Sequence, residues 1–195
     1  MDKFIAKSIS LIFSPPVILA PVPFVLVLKY SSDINDAIKW SFFFYISIFI
    51  MISVVLVGRF FGIFSDLDVS NKSERPKLLI SSLIICITNC IFLILFGAPK
   101  ILILMGFGVL IGILFIFIFL RWTKISIHTA AITAFAISIV LIYGRMFIPL
   151  LLLIPIMGWA RITSRRHTLR EVIAGGILGS VLTIIIYSIG KNFIL

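Results

Sequence analysis

The sequence predicts an all-α protein, a polytopic transmembrane helix bundle of about six to seven spans, and three observations carry that expectation. Of its 195 residues, 62% are hydrophobic and only 12% are charged, whereas a soluble domain has about 45–50% apolar residues. The mean hydropathy is +1.28. Apolar runs recur along the chain, separated by short clusters of charge, and a hydrocarbon core about 30 Å thick needs roughly 20 such residues per helix.

Taken in order, the expected spans are Leu11–Leu28, Ala37–Val57, Leu78–Gly97, Ile101–Leu120, His128–Tyr143, Met146–Trp159 and Val172–Ile189, each to within a few residues. The first contains Pro15, Pro16, Pro21 and Pro23. Proline lacks the donor that a helix interior uses, so this segment is expected to be broken or re-entrant. Lys3 and Lys7 ahead of an apolar stretch also fit a signal peptide, but the prolines sit inside what would be its apolar region. Cys86 and Cys90 lie four apart on one span without a histidine beside them, and read as core residues. Trp40, Trp122 and Trp159 fall at span ends, where amphipathic rings sit at headgroup level. Gly108-x3-Gly112 and Gly175-x3-Gly179 offer small faces for close helix contact. With no internal repeat or low-complexity tract, a single integral-membrane domain is expected over 1–195, its Pro-rich start covering 1–36.

Because two crossings separate each from the next, the segments Arg59–Lys77, Arg121–Ser126 and Arg161–Glu171 should emerge on one side. Ten of the seventeen basic residues lie there, namely Arg59, Lys72, Arg75, Lys77, Arg121, Lys124, Arg161, Arg165, Arg166 and Arg170, with both histidines. The bias of cytoplasmic loops towards Lys and Arg accounts for part of this. If Lys72, Arg75, Lys124 and Arg161 are set aside as site residues, the two faces compare as six basic residues against seven, which leaves orientation open. No Asp, Glu, Lys or Arg falls within the interior of an expected span, Lys39 standing at the edge of its own, which argues against an ion-coupled transporter. Short membrane-edge loops without a recognition element exclude nucleic acid as a partner. The anion that such a face would meet is a lipid headgroup, in an integral membrane that we expect to be the cell membrane.

Three segments carry candidate chemistry. In Arg161-Ile-Thr-Ser-Arg-Arg-His167-Thr-Leu-Arg-Glu171, a helix that begins at Val172 and extends slightly backward would put His167 and Glu171 at i and i+4 on one face. The carboxylate could then bond one imidazole nitrogen and leave the other for chemistry. Lys124-Ile-Ser126-Ile-His128-Thr129 sets the second histidine at the mouth of the fifth span. Asp66-Leu-Asp68-Val-Ser-Asn-Lys72-Ser-Glu-Arg75-Pro76 adds a lysine and an arginine before the third. Arginine's planar fork suits a phosphoryl group, and two arginines with one lysine could offset its charge without a metal.

On these residues the chain resembles the type 2 phosphatidic acid phosphatase superfamily, whose pattern is K-x6-R-P, then P-S-G-H, then S-R-x5-H-x3-D. The matches are Arg75-Pro76, Ser126-x-His128 and Arg161-x5-His167-x3-Glu171, and the similarity spans 66–175. It departs from the pattern at Asp68 for the lysine, Ile125 for proline, Ile127 for glycine, Ala160 for serine and Glu171 for aspartate.

The resemblance implies a metal-independent lipid phosphatase with no cofactor. His167 would attack phosphorus and become phosphohistidine, His128 would protonate the leaving oxygen, and Glu171 would orient His167. Arg161, Arg75, Ser126 and either Lys72 or Lys124 would hold the phosphate. The expected partner is a membrane lipid with a phosphate or diphosphate headgroup, an isoprenyl diphosphate first and phosphatidate second. Three other classes remain: transfer of the phosphoryl group to an acceptor other than water, a metal-dependent prenyltransferase or alcohol phosphotransferase using Asp66 and Asp68, and a lipid-binding protein without turnover. The metal-dependent class generally needs a second acidic cluster, and this face offers only Glu74 and Glu171 beyond the two aspartates.

Overall fold

The computed structural model describes residues 2–31 and 33–194, with side chains up to residue 191. Among the described residues there is no strand. The proline-rich start forms three helices, α1 (Asp2–Ile12), α2 (Pro15–Leu19) and α3 (Val22–Ser31). Pro15 and Pro16 open α2, while Pro21 and Pro23 flank the first residue of α3. All four therefore stand at helix starts, where a missing N–H costs nothing, and the run is broken as its prolines predict.

Then come α4 (Ile34–Phe60), α5 (Arg75–Leu95), α6 (Lys100–Phe119) and α7 (Ile127–Tyr143). The expected span Met146–Trp159 is instead two pieces, a 3₁₀ helix over Arg145–Leu152 and α8 (Leu153–Thr163). Gly144 precedes them at φ +94° and Pro149 lies within the 3₁₀ piece, removing a donor from the α-helical ladder. The last helix is α9 (Leu169–Ile194).

Among the described residues, six helical segments are long and apolar enough to cross a membrane. The shorter α7 has 17 residues, which at about 1.5 Å per residue is roughly 25 Å. Large apolar side chains such as Phe42, Phe49, Ile118 and Ile177 point outward, as a lipid environment allows and water does not. The chain is a multi-pass helical membrane protein.

The helices group into two compact units, Met1–Leu19 with Phe119–Leu195, and Ala20–Ile118. In the first, α7 and α9 run parallel with their backbones in contact. A Cβ on Gly175 would lie 2.6 Å from the Ser126 carbonyl oxygen, and one on Gly179 would lie 2.4 Å from that of Ala130. Only glycine fits at either place, so the Gly175-x3-Gly179 face is the tight one its spacing suggests. Helix α8 closes against α9 where Gly158 meets Val172. Ile18 of α2, Ile132 of α7 and Met157 of α8 form a small core, flanked by Phe13, Phe135 and Leu153.

In the second unit, α3 packs on α4 and α4 on α5. Asn89 donates from Nδ2 to the Ser47 hydroxyl, a polar link between α4 and α5 of the kind that holds helices together in lipid. The close glycine contact of α6 is made by Gly106, where a Cβ would come within 3.0 Å of the Cys90 sulfur. Both cysteines are free thiols packed at this contact, as core residues. Trp40 differs from expectation. It is only 4% exposed, packed edge-on against Phe43, and so belongs to the interior rather than a headgroup belt. Trp122 and Trp159 are exposed.

Gly179→Ala should lower stability by about 1–3 kcal/mol, the usual cost of overpacking. Gly176→Ala, whose Cβ would have Thr133 Oγ1 as its nearest neighbour at 4.0 Å, should stay within about 0.5 kcal/mol of wild type. Denaturant unfolding in detergent micelles measures both.

Candidate active site

Between α8 and α9 the chain turns within a few residues, and each turn is a helix cap. At the end of α8, Arg165 N–H donates to the Ile162 carbonyl at 2.9 Å and Arg166 N–H to that of Arg161 at 3.1 Å. These are the two bonds of a Schellman motif, which needs a residue in the left-handed region after the cap. Arg165 takes that conformation at φ 56°. The same pair of bonds ends α4 at Gly62 and α5 at Gly97, where glycine adopts positive φ without strain. A side chain there costs roughly 1–2 kcal/mol, so the strained version of this cap lies in the loop that carries His167.

His167 N–H adds a second backbone bond to the Arg161 carbonyl at 3.2 Å. The following residue, Thr168, caps α9: Glu171 N–H donates to Thr168 Oγ1 at 3.4 Å, and Thr168 N–H donates to Glu171 Oε2 at 3.1 Å. This reciprocal pair is a capping box, Thr-x-x-Glu. The same Glu171 oxygen lies 2.8 Å from His167 Nδ1. The contact foreseen from the i, i+4 spacing is present, but its cause is different. His167 precedes the helix, and the box turns the Glu171 carboxylate back towards it. With Nδ1 as the donor, Nε2 carries the imidazole lone pair.

At the start of α7, Ser126 has an extended backbone and its hydroxyl accepts from Thr129 N–H at 3.3 Å and pairs with the Thr129 hydroxyl at 2.9 Å. Placed among the phosphate-binding residues from the sequence, Ser126 is in the structure the fully buried N-cap of α7. His128 follows in the first turn. Ser126 N–H donates to the Glu171 carbonyl at 3.2 Å, and Lys124 Nζ donates to the Arg166 carbonyl at 2.9 Å. The first unit thus brings Lys124, Ser126, His128, Arg161, His167 and Glu171 to one end of the α7–α9 pair. His128 is 9% exposed, His167 7% and Arg161 1%. Both helices present their N-termini there, and the partial positive charge of a helix N-terminus favours an anion. The arrangement can attract a phosphoryl group, neutralise it with a guanidinium that is always charged, and offer it an oriented imidazole.

Lys72 and Arg75 belong to the second unit. Lys72 is exposed, while Arg75 begins α5, is buried, and directs Nε towards the Val69 carbonyl at 3.4 Å. Asp66 accepts from Asp68 N–H at 2.9 Å and from Ser70 Oγ at 3.2 Å, shaping its own turn. Among the described residues no group of three His, Cys, Asp or Glu could hold a metal ion. Thr168 is a position at this candidate site that sequence reasoning missed, although its signal, Thr-x-x-Glu ahead of an apolar run, was there to read. Comparison with protein-family models, curated proteins and solved structures found no match.

Thr168→Ala should cost about 0.5–2 kcal/mol through loss of the cap, and Thr168→Ser should restore most of it. Thermal unfolding of the two variants under one detergent condition checks this.

Proposed function

We propose that the protein is a lipid phosphatase that works through a phosphohistidine, with an isoprenyl diphosphate as first choice of substrate and phosphatidate or a related phospholipid as second, in the cell membrane. The observation that carries this reading is the His167–Glu171 bond of 2.8 Å, held between two helix caps at the N-terminal end of the α7–α9 pair. A histidine placed this way is held in one orientation and one tautomer, the preorganisation that a nucleophilic imidazole needs.

In the first step His167 Nε2 attacks phosphorus, the bond from phosphorus to the leaving oxygen breaks, and His128 gives that oxygen a proton. In the second, water attacks the phosphohistidine and gives up a proton to His128, and the N–P bond breaks to release phosphate. Glu171 holds the reacting tautomer and steadies the positive charge that develops on the ring during attack. Arg161 stabilises the equatorial oxygens, where most of the transition-state charge lies. The lipid reaches the loops laterally, since the helices below them are surrounded by its tail environment.

Purified protein in detergent, given isoprenyl diphosphates, phosphatidate and phosphatidylglycerophosphate in turn with EDTA present, should release phosphate from at least one. His167→Ala should abolish release, and Arg161→Ala should lower kcat/KM by about 10²–10³, the loss typical of one preorganised charge contact. Glu171→Gln should reduce kcat more than it raises KM. Lys77→Ala should leave turnover unchanged. Release that persists in His167→Ala, or fails with every lipid, would overturn the proposal.

A further inference from the structure

Lys124 lies in neither helix of the pair, yet it ties the two histidine loops together. Its ammonium donates to the Arg166 carbonyl, the last carbonyl before His167, at 2.9 Å and is partly buried in doing so. The residue just before Arg166 is the strained Arg165. A Schellman cap with a side chain at its left-handed position is weaker than one built on glycine, so the loop between Arg161 and Thr168 gains from an external tie. A charge-assisted bond to a carbonyl is among the stronger ties a side chain can make. The second link, from Ser126 N–H to the Glu171 carbonyl, fixes the first turn of α9, just beyond the same loop. Between them the two bonds clamp the segment that bears His167 onto the segment that leads to His128.

We propose that Lys124 is a positioning residue, a latch that sets the height of the His167 loop against the start of α7, rather than a direct ligand of the phosphoryl group. Its effect on turnover rests on the phosphatase reading above, whereas its effect on the loop does not. A latch of this kind acts on the distance and angle at which Nε2 meets phosphorus, so removing it slows the chemical step more than it weakens phosphate binding. A phosphate ligand would do the reverse, weakening the affinity for any tetrahedral oxyanion.

Lys124→Met and the conservative Lys124→Arg, studied as full-length protein in detergent, separate these cases. Trypsin can cut after Arg165 or Arg166, and the rate of that cut reports how often the loop opens, with or without catalysis. The latch predicts that Lys124→Met is cut there about tenfold faster than wild type. It predicts a kcat lower by about tenfold to a hundredfold with KM and the inhibition constant of inorganic phosphate within twofold of wild type. Lys124→Arg, which keeps a charged donor, should recover most of both. An unchanged cutting rate in Lys124→Met would overturn the proposal. So would a loss of affinity for inorganic phosphate as large as the loss of kcat/KM, which would make Lys124 a phosphate ligand. Faster cutting in a protein whose wild type releases phosphate from no lipid would uphold the latch and overturn the phosphatase reading instead.

Discussion

The contact between α7 and α9 at Gly175 and Gly179 sets the terms for the whole first unit. Apolar side chains gain little by leaving lipid for protein, so helices in a membrane associate through close packing and polar links. Here the packing is backbone on backbone: a single added carbon at either glycine would come within 2.6 Å of a carbonyl oxygen of α7. That proximity lets Ser126 N–H reach the Glu171 carbonyl, which joins one helix start to the other. The parallel direction of the pair is imposed by α8, which returns the chain between them. Two helices that start on the same side bring two N-termini, and the loops before them, to one place.

Polar chemistry in such a chain is confined to helix ends, because the backbone groups there must be satisfied by something other than the next helical turn. The candidate catalytic residues are therefore also capping residues or their immediate neighbours. Glu171 shows the consequence most clearly. One carboxylate oxygen closes the capping box of α9 and holds His167, so the start of the helix and the orientation of the imidazole form a single structure. Ser126 is drawn in the same direction, its hydroxyl taken up by the first turn of α7. The strain at Arg165 sits in this loop, whereas the corresponding caps of α4 and α5 use glycine.

The second unit organises its charged loop by related means. Glu74 accepts from the backbone and hydroxyl of Ser65, Arg59 donates to the Ser65 carbonyl, and Asn71 pairs with both Ser73 and Glu74. These contacts order the segment ahead of α5 together with the buried side chains of Phe64 and Val69. Part of its polar composition is thus accounted for by turn formation, as with the Asp66 carboxylate, which accepts from Asp68 N–H and Ser70 Oγ.

Composition and the spacing of apolar runs were enough to determine a helical membrane bundle, because the thickness of the bilayer converts hydrophobic length directly into spans. The broken first segment followed from its prolines, and the pairing of His167 with Glu171 from their separation, since both are local properties of the chain. The reason for that pairing was misread: the helix does not extend back to His167, and a cap at Thr168 does the work instead. Tertiary structure alone decided that Trp40 is interior and that Lys124 lies against the His167 loop. Each depends on which helix faces meet. That choice is governed by side-chain shape at positions far apart in sequence, glycine above all, and one-dimensional hydrophobicity carries no record of it.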